Sequence, residues 1–302
     1  MAWRENAVIT NLRVQNLDLR GTFSRDLADQ YFVSSVTGNA NDDGTTKEKA
    51  TTTIAKALDF CTASRGDIIW LLPGHAETIS AAAGIALDVA GVNIIGIGEG
   101  ALQPSITFDT IISADLDVDA ANVMVENVHF IANFADITAA IDVNADDFTM
   151  KDCRFTELAV DMNALIWVQD GALVTSDRIT IDGCYCLVLD AANTHFLNLA
   201  GTPDGVVVKN NVLMGDWGTM AVGGAGVVTN IVVTDNIINN TATTSDACIN
   251  IESTALGIVA RNLCAGGAAV GNGITATACL LAENYYQLVT ADLSGVLDPA
   301  NA

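Results

Sequence analysis

Eight times between residues 92 and 286 the chain repeats one eight-residue pattern. Its clearest copies run from Val206 to Leu213, Ile231 to Ile238, Gly257 to Cys264 and Cys279 to Tyr286, and earlier ones begin at Val92, Val123, Phe148 and Ile179. The eight starts span 187 residues, about 27 per step, which is the period of stacked repeat architectures. Each copy opens with apolar residues at its first and third positions. A small or polar residue follows, then a turn-former such as Asn127, Asp152, Gly183, Asn210 or Asp235, then a second short apolar pair. Alternation of period two points one face inward and the other outward.

Further alternating runs lie between the octets: Ile137 to Val143, Leu165 to Val168, Phe196 to Leu199, Met220 to Val222 and Ile249 to Ile251. Two or three short strands per coil, with Gly, Asn and Asp at the corners and no room for helices, predict an all-β chain wound as a parallel β-helix. Four Pro, 6% aromatics and abundant small or β-branched residues suit thin coils. The sixth octet position reads Asn211, Asn236, Asn262 and Asn284 in the last four coils and Cys153 and Cys184 in two earlier ones. Asn at one corner of successive coils predicts a structural ladder, each amide bonding its neighbour at about 4.8 Å. Seven cysteines without CxxC spacing read as buried thiols filling small apolar spaces, although Cys153 and Cys184 stack closely enough for a disulfide in principle.

The net charge of −23 is unevenly placed. Residues 1–65 hold eight bases and eight acids, so residues 66–302, with five bases and 28 acids, carry all of it. A shaft so negative repels nucleic acid, anionic lipid and polyuronate alike. No apolar run reaches the length of a membrane span, and Met1 to Asn6 does not open like a Sec leader, so synthesis in a cytoplasm without Sec export is expected. Neither nucleic acid nor membrane is expected as a partner, and no cofactor is expected.

Residues 1–30 differ from the coils. Leu12 and Leu17 mix apolar spacings with Arg4, Arg13, Arg20 and Arg25, too little to form a core alone. Two readings stay open: a leader lying along the shaft, or an arm docking onto another subunit. Gly38 to Gly44 is a loop dense in turn-formers. Its Asn/Asp cluster matches no calcium loop, so a hydrogen-bonded turn is the plainer reading. Ile54, Leu58 and Cys61 at i, i+4 and i+7 predict an amphipathic helix over residues 51–61 with Thr51 or Thr52 as N-cap. That helix would plug the end of the solenoid.

The run Tyr31-Phe32-Val33, Gly38-Asn39, Asp43-Gly44, Thr53-Ile54, Ala57-Leu58, Gly66-Asp67-Ile68-Ile69, Pro73-Gly74 and Thr78-Ile79 resembles the opening module of right-handed parallel β-helix proteins of the pectate-lyase-like and tailspike-like kind. It looks most like versions encoded among bacteriophage structural genes. The resemblance implies a right-handed solenoid of about eight to nine coils. It also implies a virion component: a trimeric shell-decorating protein, a spike or a fibre, some of which carry glycan-cleaving sites.

Catalytic signals are sparse. Asp115, Asp117, Asp119 and Glu126 mimic calcium-loop spacing, but Ala120 stands where the sharp turn needs Gly, so an outward acidic strand is the better reading. A uronate lyase needs cations, and the coils offer only Lys151, Arg154, Arg178, Lys209 and Arg261 in no convergent pattern. A hydrolase needs two carboxylates, and among 36 acids pairs such as Asp146 or Asp147 with Asp170 arise by chance. His75, His129 and His195 are isolated in sequence.

The organisation expected is an arm at 1–30, a strand, loop and capping helix at 31–65, coils at 66–290 and a tail at 291–302. The function expected is that of a non-enzymatic, capsid-decorating homotrimer on the exterior of a tailed-phage virion, its arm contacting the major capsid protein or other virion subunits. A receptor-binding tail spike or fibre stands as one alternative, and a polysaccharide lyase or glycoside hydrolase as another.

Overall fold

The computed structural model describes residues 28–171, 176–242, 247–252, 254–266, 273–287 and 294–296, with residues 287 and 294–296 as backbone alone. Arg4, Leu12, Arg13, Leu17, Arg20 and Arg25 lie outside the described residues. The chain is a right-handed parallel β-helix of about eight turns. Among the described residues three sheets run along its axis, here called I, II and III, of ten, ten and eight strands. Each coil passes from I through a tight corner to II, then by a longer loop to III. Strands pair in parallel from coil to coil throughout, except Ser294–Val296, which folds back antiparallel on Tyr285–Gln287.

The octets are the I–II corner. In the copy starting at Val206, Val207–Lys209 lies in sheet I and Val212–Gly215 in sheet II. The fifth position explains the turn-formers, because it holds a positive φ in coil after coil: Asn127 at 56°, Asp152 at 51°, Asn210 at 58° and Asp235 at 59°. Asn and Asp tolerate that left-handed well better than other residues with a Cβ. Arg261 and Glu283 adopt it as well, at 56° and 53°.

Inward side chains stack in columns. Phe108, Phe130 and Phe155 follow one another in sheet II with ring centroids 6.1 and 5.2 Å apart, and Trp167 and Phe196 meet Phe155 edge-on. All five are fully buried, and each such burial is worth about 1.5–3 kcal/mol. All seven cysteines are free, and Cys153, Cys184, Cys186, Cys248 and Cys264 are buried.

The capping helix is shorter than the sequence suggests, Ile54–Leu58, and its N-cap is Thr53, whose side chain accepts from the Lys56 N–H. Thr51 instead bridges to Val33 in parallel. A short helix results because Phe60 and Cys61 already accept turn geometry, their N–H groups bonding the carbonyls of Ala57 and Leu58. Ile54, Ala57 and Leu58 are buried against the first strands of sheets I and III. Glu77 holds the helix in place, one carboxylate oxygen accepting from Ile54 N–H at 2.9 Å and lying 3.3 Å from His75 Nε2. The helix thereby stands where sheet III would otherwise add one more strand.

Candidate active site

Two columns of polar side chains follow from the coil register, one at the I–II corner and one on the outer face of sheet III. At the corner, Asn211, Asn236, Asn262 and Asn284 are all fully buried. Asn236 typifies them: its Oδ1 accepts from the N–H and the amide of Asn211 at 3.0 and 2.9 Å, while its Nδ2 donates to Val208 O and Asn262 Oδ1 at 3.0 and 2.9 Å. The ladder ends beneath Cys184, whose N–H donates to Asn211 Oδ1 at 2.8 Å. With its donors and acceptors used internally, the ladder shapes the corner and offers nothing to a ligand.

Sheet III behaves differently. In Leu116–Val118 and Ile141–Val143 the flanking apolar residues point inward and are buried, and the middle residue is left half-buried on the outer face. Strand pairing places Ala86, Asp117, Asp142, Gln169 and Asn198 side by side in consecutive coils. Asn250 and Thr275 continue the column beyond Gly223. Asp117 and Asp142 are therefore direct neighbours across one strand spacing. Burial pushes the Asp117 carboxyl up to about 6, with Asp115, Asp119 and Asp142 adding repulsion. Burial likewise raises Asp142 to about 6, helped by Asp115, Asp119 and Asp170. Asp142 Oδ1 is buried without a hydrogen-bond partner. Asp115 accepts from the Ala83 N–H, and Asp119 from the Asn144 amide at 3.2 Å.

Asp117 was visible in the sequence only as part of an outward acidic strand, and Asp142 carried no signal of its own. Aligning the runs between octets on their buried flanks, Leu116 and Val118 with Ile141 and Val143, brings the two acids into register. The carboxylates that sequence spacing brings forward do something else. Arg178 clamps Asp147 at 2.6 and 2.9 Å and Asp146 at 3.1 Å, and Asp170 points inward to accept two N–H groups from Ala200 and Gly201. The loop at Asn39 to Asp43 closes on itself, Asn39 Oδ1 accepting from Asn41 N–H and Asp43 Oδ1 from Thr45. Among the described residues no group of three or more His, Cys, Asp or Glu is placed to hold a metal ion.

Four of the five coil cations are paired: Lys151 with Glu126, Lys209 with Asp182, Arg178 with Asp146 and Asp147, and Arg261 with Asp235. Arg154 stands on sheet II, 5.9 Å over the Tyr185 ring and beside His129 in register. Burial holds His129 down to about 4, with Arg154 adding to the effect, and burial alone holds His195 at about 4. His129 lies 2.7 Å from Thr156 Oγ1 and His195 3.0 Å from Thr194 Oγ1. Neither histidine is in the acidic column.

No family model matches this chain, and no curated protein does. Among solved structures, the native GH136 lacto-N-biosidase from Eubacterium ramulus matches with a TM-score of 0.50 and 10% identity, over 89% of this chain and 64% of that one. The chain thus spans less than two thirds of that enzyme. Pectate lyase Pel9A matches at 0.46 and 10% identity, over 89% of this chain and 78% of that one. A rhamnogalacturonan lyase matches at 0.43 and 9% identity, over 85% and 87%. At such identities the likeness concerns the fold, and the two lyases lie too far away in shape to support anything more.

These neighbours correct the expectation of a non-enzymatic, capsid-decorating phage protein. That reading rests on the opening module, whereas the solved structure that shares the fold at a TM-score of 0.50 is named as a lacto-N-biosidase. The physical reason lies in what the module encodes. Gly66 and Gly74 sit at φ 83° and 76°, Tyr31–Val33 starts sheet I, and Ile54 and Leu58 cover the first coil. Those residues close the end of a right-handed solenoid wherever one is used, so they specify the fold and are silent about a virion.

Proposed function

We propose that this protein is a glycoside hydrolase acting on a neutral glycan laid along sheet III, with Asp142 as the proton carrier and Asp117 as the nucleophile. The observation that carries this reading is the in-register pair itself, in which both carboxyls titrate near 6 and one Asp142 oxygen is buried without a partner. Two carboxyls so placed share a proton, since both cannot be charged cheaply side by side. Neighbouring strands lie about 4.8 Å apart, close to the ~5–5.5 Å that lets the second carboxylate attack directly and retain configuration. Protonated Asp142 gives its proton to the glycosidic oxygen as the bond to the anomeric carbon breaks, and a carboxylate oxygen of Asp117 bonds to that carbon. Water then attacks the same carbon, its proton passes to Asp142, and the bond to Asp117 breaks. Gln169 and Asn198, next in the column, offer amides to sugar hydroxyls.

A hydrolase is favoured over a uronate lyase by charge. Lyase chemistry requires cations to neutralise the substrate carboxylate. The column contains none, and the only coil cation outside the ion pairs described above stands on sheet II. The test is digestion of a panel of neutral oligosaccharides followed by NMR of the fresh product. Retention of the anomeric configuration is expected, with Asp142→Asn slowed about 10²–10⁴-fold. Inverted product, or an Asp142→Asn variant as fast as the parent, sinks the assignment.

A further inference from the structure

The column of sheet III does not run on freely past Asp117. Its next member is Ala86, the smallest side chain in the acidic half, and beyond Ala86 stands the capping helix in the place of a further strand. Between helix and strand lies a groove of about 490 Å³. Its walls include Ala55 and Asp59 on the helix side and Ala83, Gly84, Ala86 and Asp88 on the sheet side. Gly84 has no room for a side chain, since a Cβ there would come 2.5 Å from Ile79 Cγ2. Exposed carboxylates at Asp59 and Asp88 flank it from opposite walls, and both suit hydroxyl donors.

From this juxtaposition we infer that the groove is a terminal sugar subsite, closed by the capping helix, so that cleavage removes a short unit of fixed length from one end of a neutral oligosaccharide. The inference rests on the assignment of Asp117 and Asp142 as the cleaving pair. The groove opens at the Ala86 end of that pair, and a chain lying across Asp142 and Asp117 reaches it one coil later. There it meets a folded helix whose Ile54, Ala57 and Leu58 are buried in the core, a wall fixed by packing. On the other side of the pair, Gln169, Asn198, Asn250 and Thr275 continue the column for several coils, and among the described residues no helix stands across it there. One side of the cleavage point is short and the other long. A substrate can then be held in only one register at its closed end, which fixes the length of what is released.

The experiment uses the full chain and neutral oligosaccharides of increasing length, fluorescently labelled at one end and sampled from the earliest times. Two variants obstruct the groove from opposite walls, Ala55→Trp on the helix and Asp88→Arg on the sheet side, so that misfolding of one leaves the other as a test. The parent is expected to shorten every oligosaccharide stepwise by the same unit, and a folded groove variant to lose about tenfold or more in rate, the scale of blocking one pocket. Fragments of mixed length from the first minutes, or groove variants that trim like the parent, overturn the closed subsite while leaving the hydrolase assignment standing. Binding without cleavage, weakened by the groove variants, removes the hydrolase assignment and keeps the subsite. Neither binding nor cleavage anywhere on the panel overturns both.

Discussion

The asparagine ladder and the acidic column are built by the same device, one residue position repeated at the strand spacing, and they come out as opposites. At the I–II corner every amide is buried and bonded to the coil above or below. On sheet III the repeated position faces out, half-covered, and places two carboxylates side by side. The ladder lowers the free energy of the fold. The column costs stability above the pH where both acids ionise, a cost that a protein carries where chemistry needs it. Satisfaction of hydrogen bonds, more than residue type, separates scaffold from site here.

The contrast breaks most visibly at Asn236. Asn236→Ala leaves the buried Asn211 N–H without its acceptor and takes one bond each from the Asn211 amide, Val208 O and Asn262 Oδ1; a buried orphan costs about 1–3 kcal/mol and each other lost bond about 0.5–1.5 kcal/mol. A loss of about 3–5 kcal/mol is expected in urea unfolding, with turnover per folded molecule unchanged. The same treatment of the column runs the other way. Asp117→Asn with Asp142→Asn abolishes cleavage while raising stability at pH 8 by about 1–2 kcal/mol, a figure already reduced for the solvent that reaches both groups.

The pH dependence sharpens this. Both folded carboxyls titrate near 6, whereas an unfolded Asp titrates near ~3.9. Between those values the folded state holds more protons. The stability contributed by the pair is therefore complete below about 4 and lost as pH rises through about 6. Melting temperatures of the parent should fall across that window, and the double Asn variant should show less of the decline. Activity needs one proton on the pair, so the rate is expected to form a narrow bell centred near 6. A plateau extending to pH 9 would contradict the shared proton. The smallest effect is at Glu283, whose φ of 53° disfavours any residue with a Cβ. Glu283→Gly should stabilise by up to about 1 kcal/mol, leaving both columns intact.

The sequence made the corner legible and the site illegible, for a physical reason. The corner imposes a left-handed residue at one position and a buried side chain at the next, Val128, Cys153 and Cys184 giving way to the four asparagines, so its period survives from Asn127 to Asn284. The outer face of sheet III imposes only that a side chain point outward, and Ala86, Asp117, Asp142, Gln169 and Asn198 all comply. Loops of unequal length hide their register as well. Asp146, Asp147 and Asp170 look no less promising in sequence, and only the fold reveals that Arg178 neutralises the first two and that backbone N–H groups occupy the third. The virion reading failed at a different level. An end-closing module carries no mark of biological setting, because its glycines and helix answer only to the geometry of a first coil.

The cysteines give the solenoid one further property. Burial pushes the thiols of Cys184 and Cys186 well up and Cys61 to about 12, and Cys264, hydrogen-bonded to Cys248, is raised as well. Thiolates are the reactive form, so the buried Cys184, Cys186 and Cys264 stay silent toward alkylating reagents until their own coils open. Spread along the axis from Cys184 to Cys264, they form a graduated rule. Pulses of iodoacetamide followed by mass spectrometry would read from it which end of the protein frays first, and how far the opening travels before the whole shaft lets go.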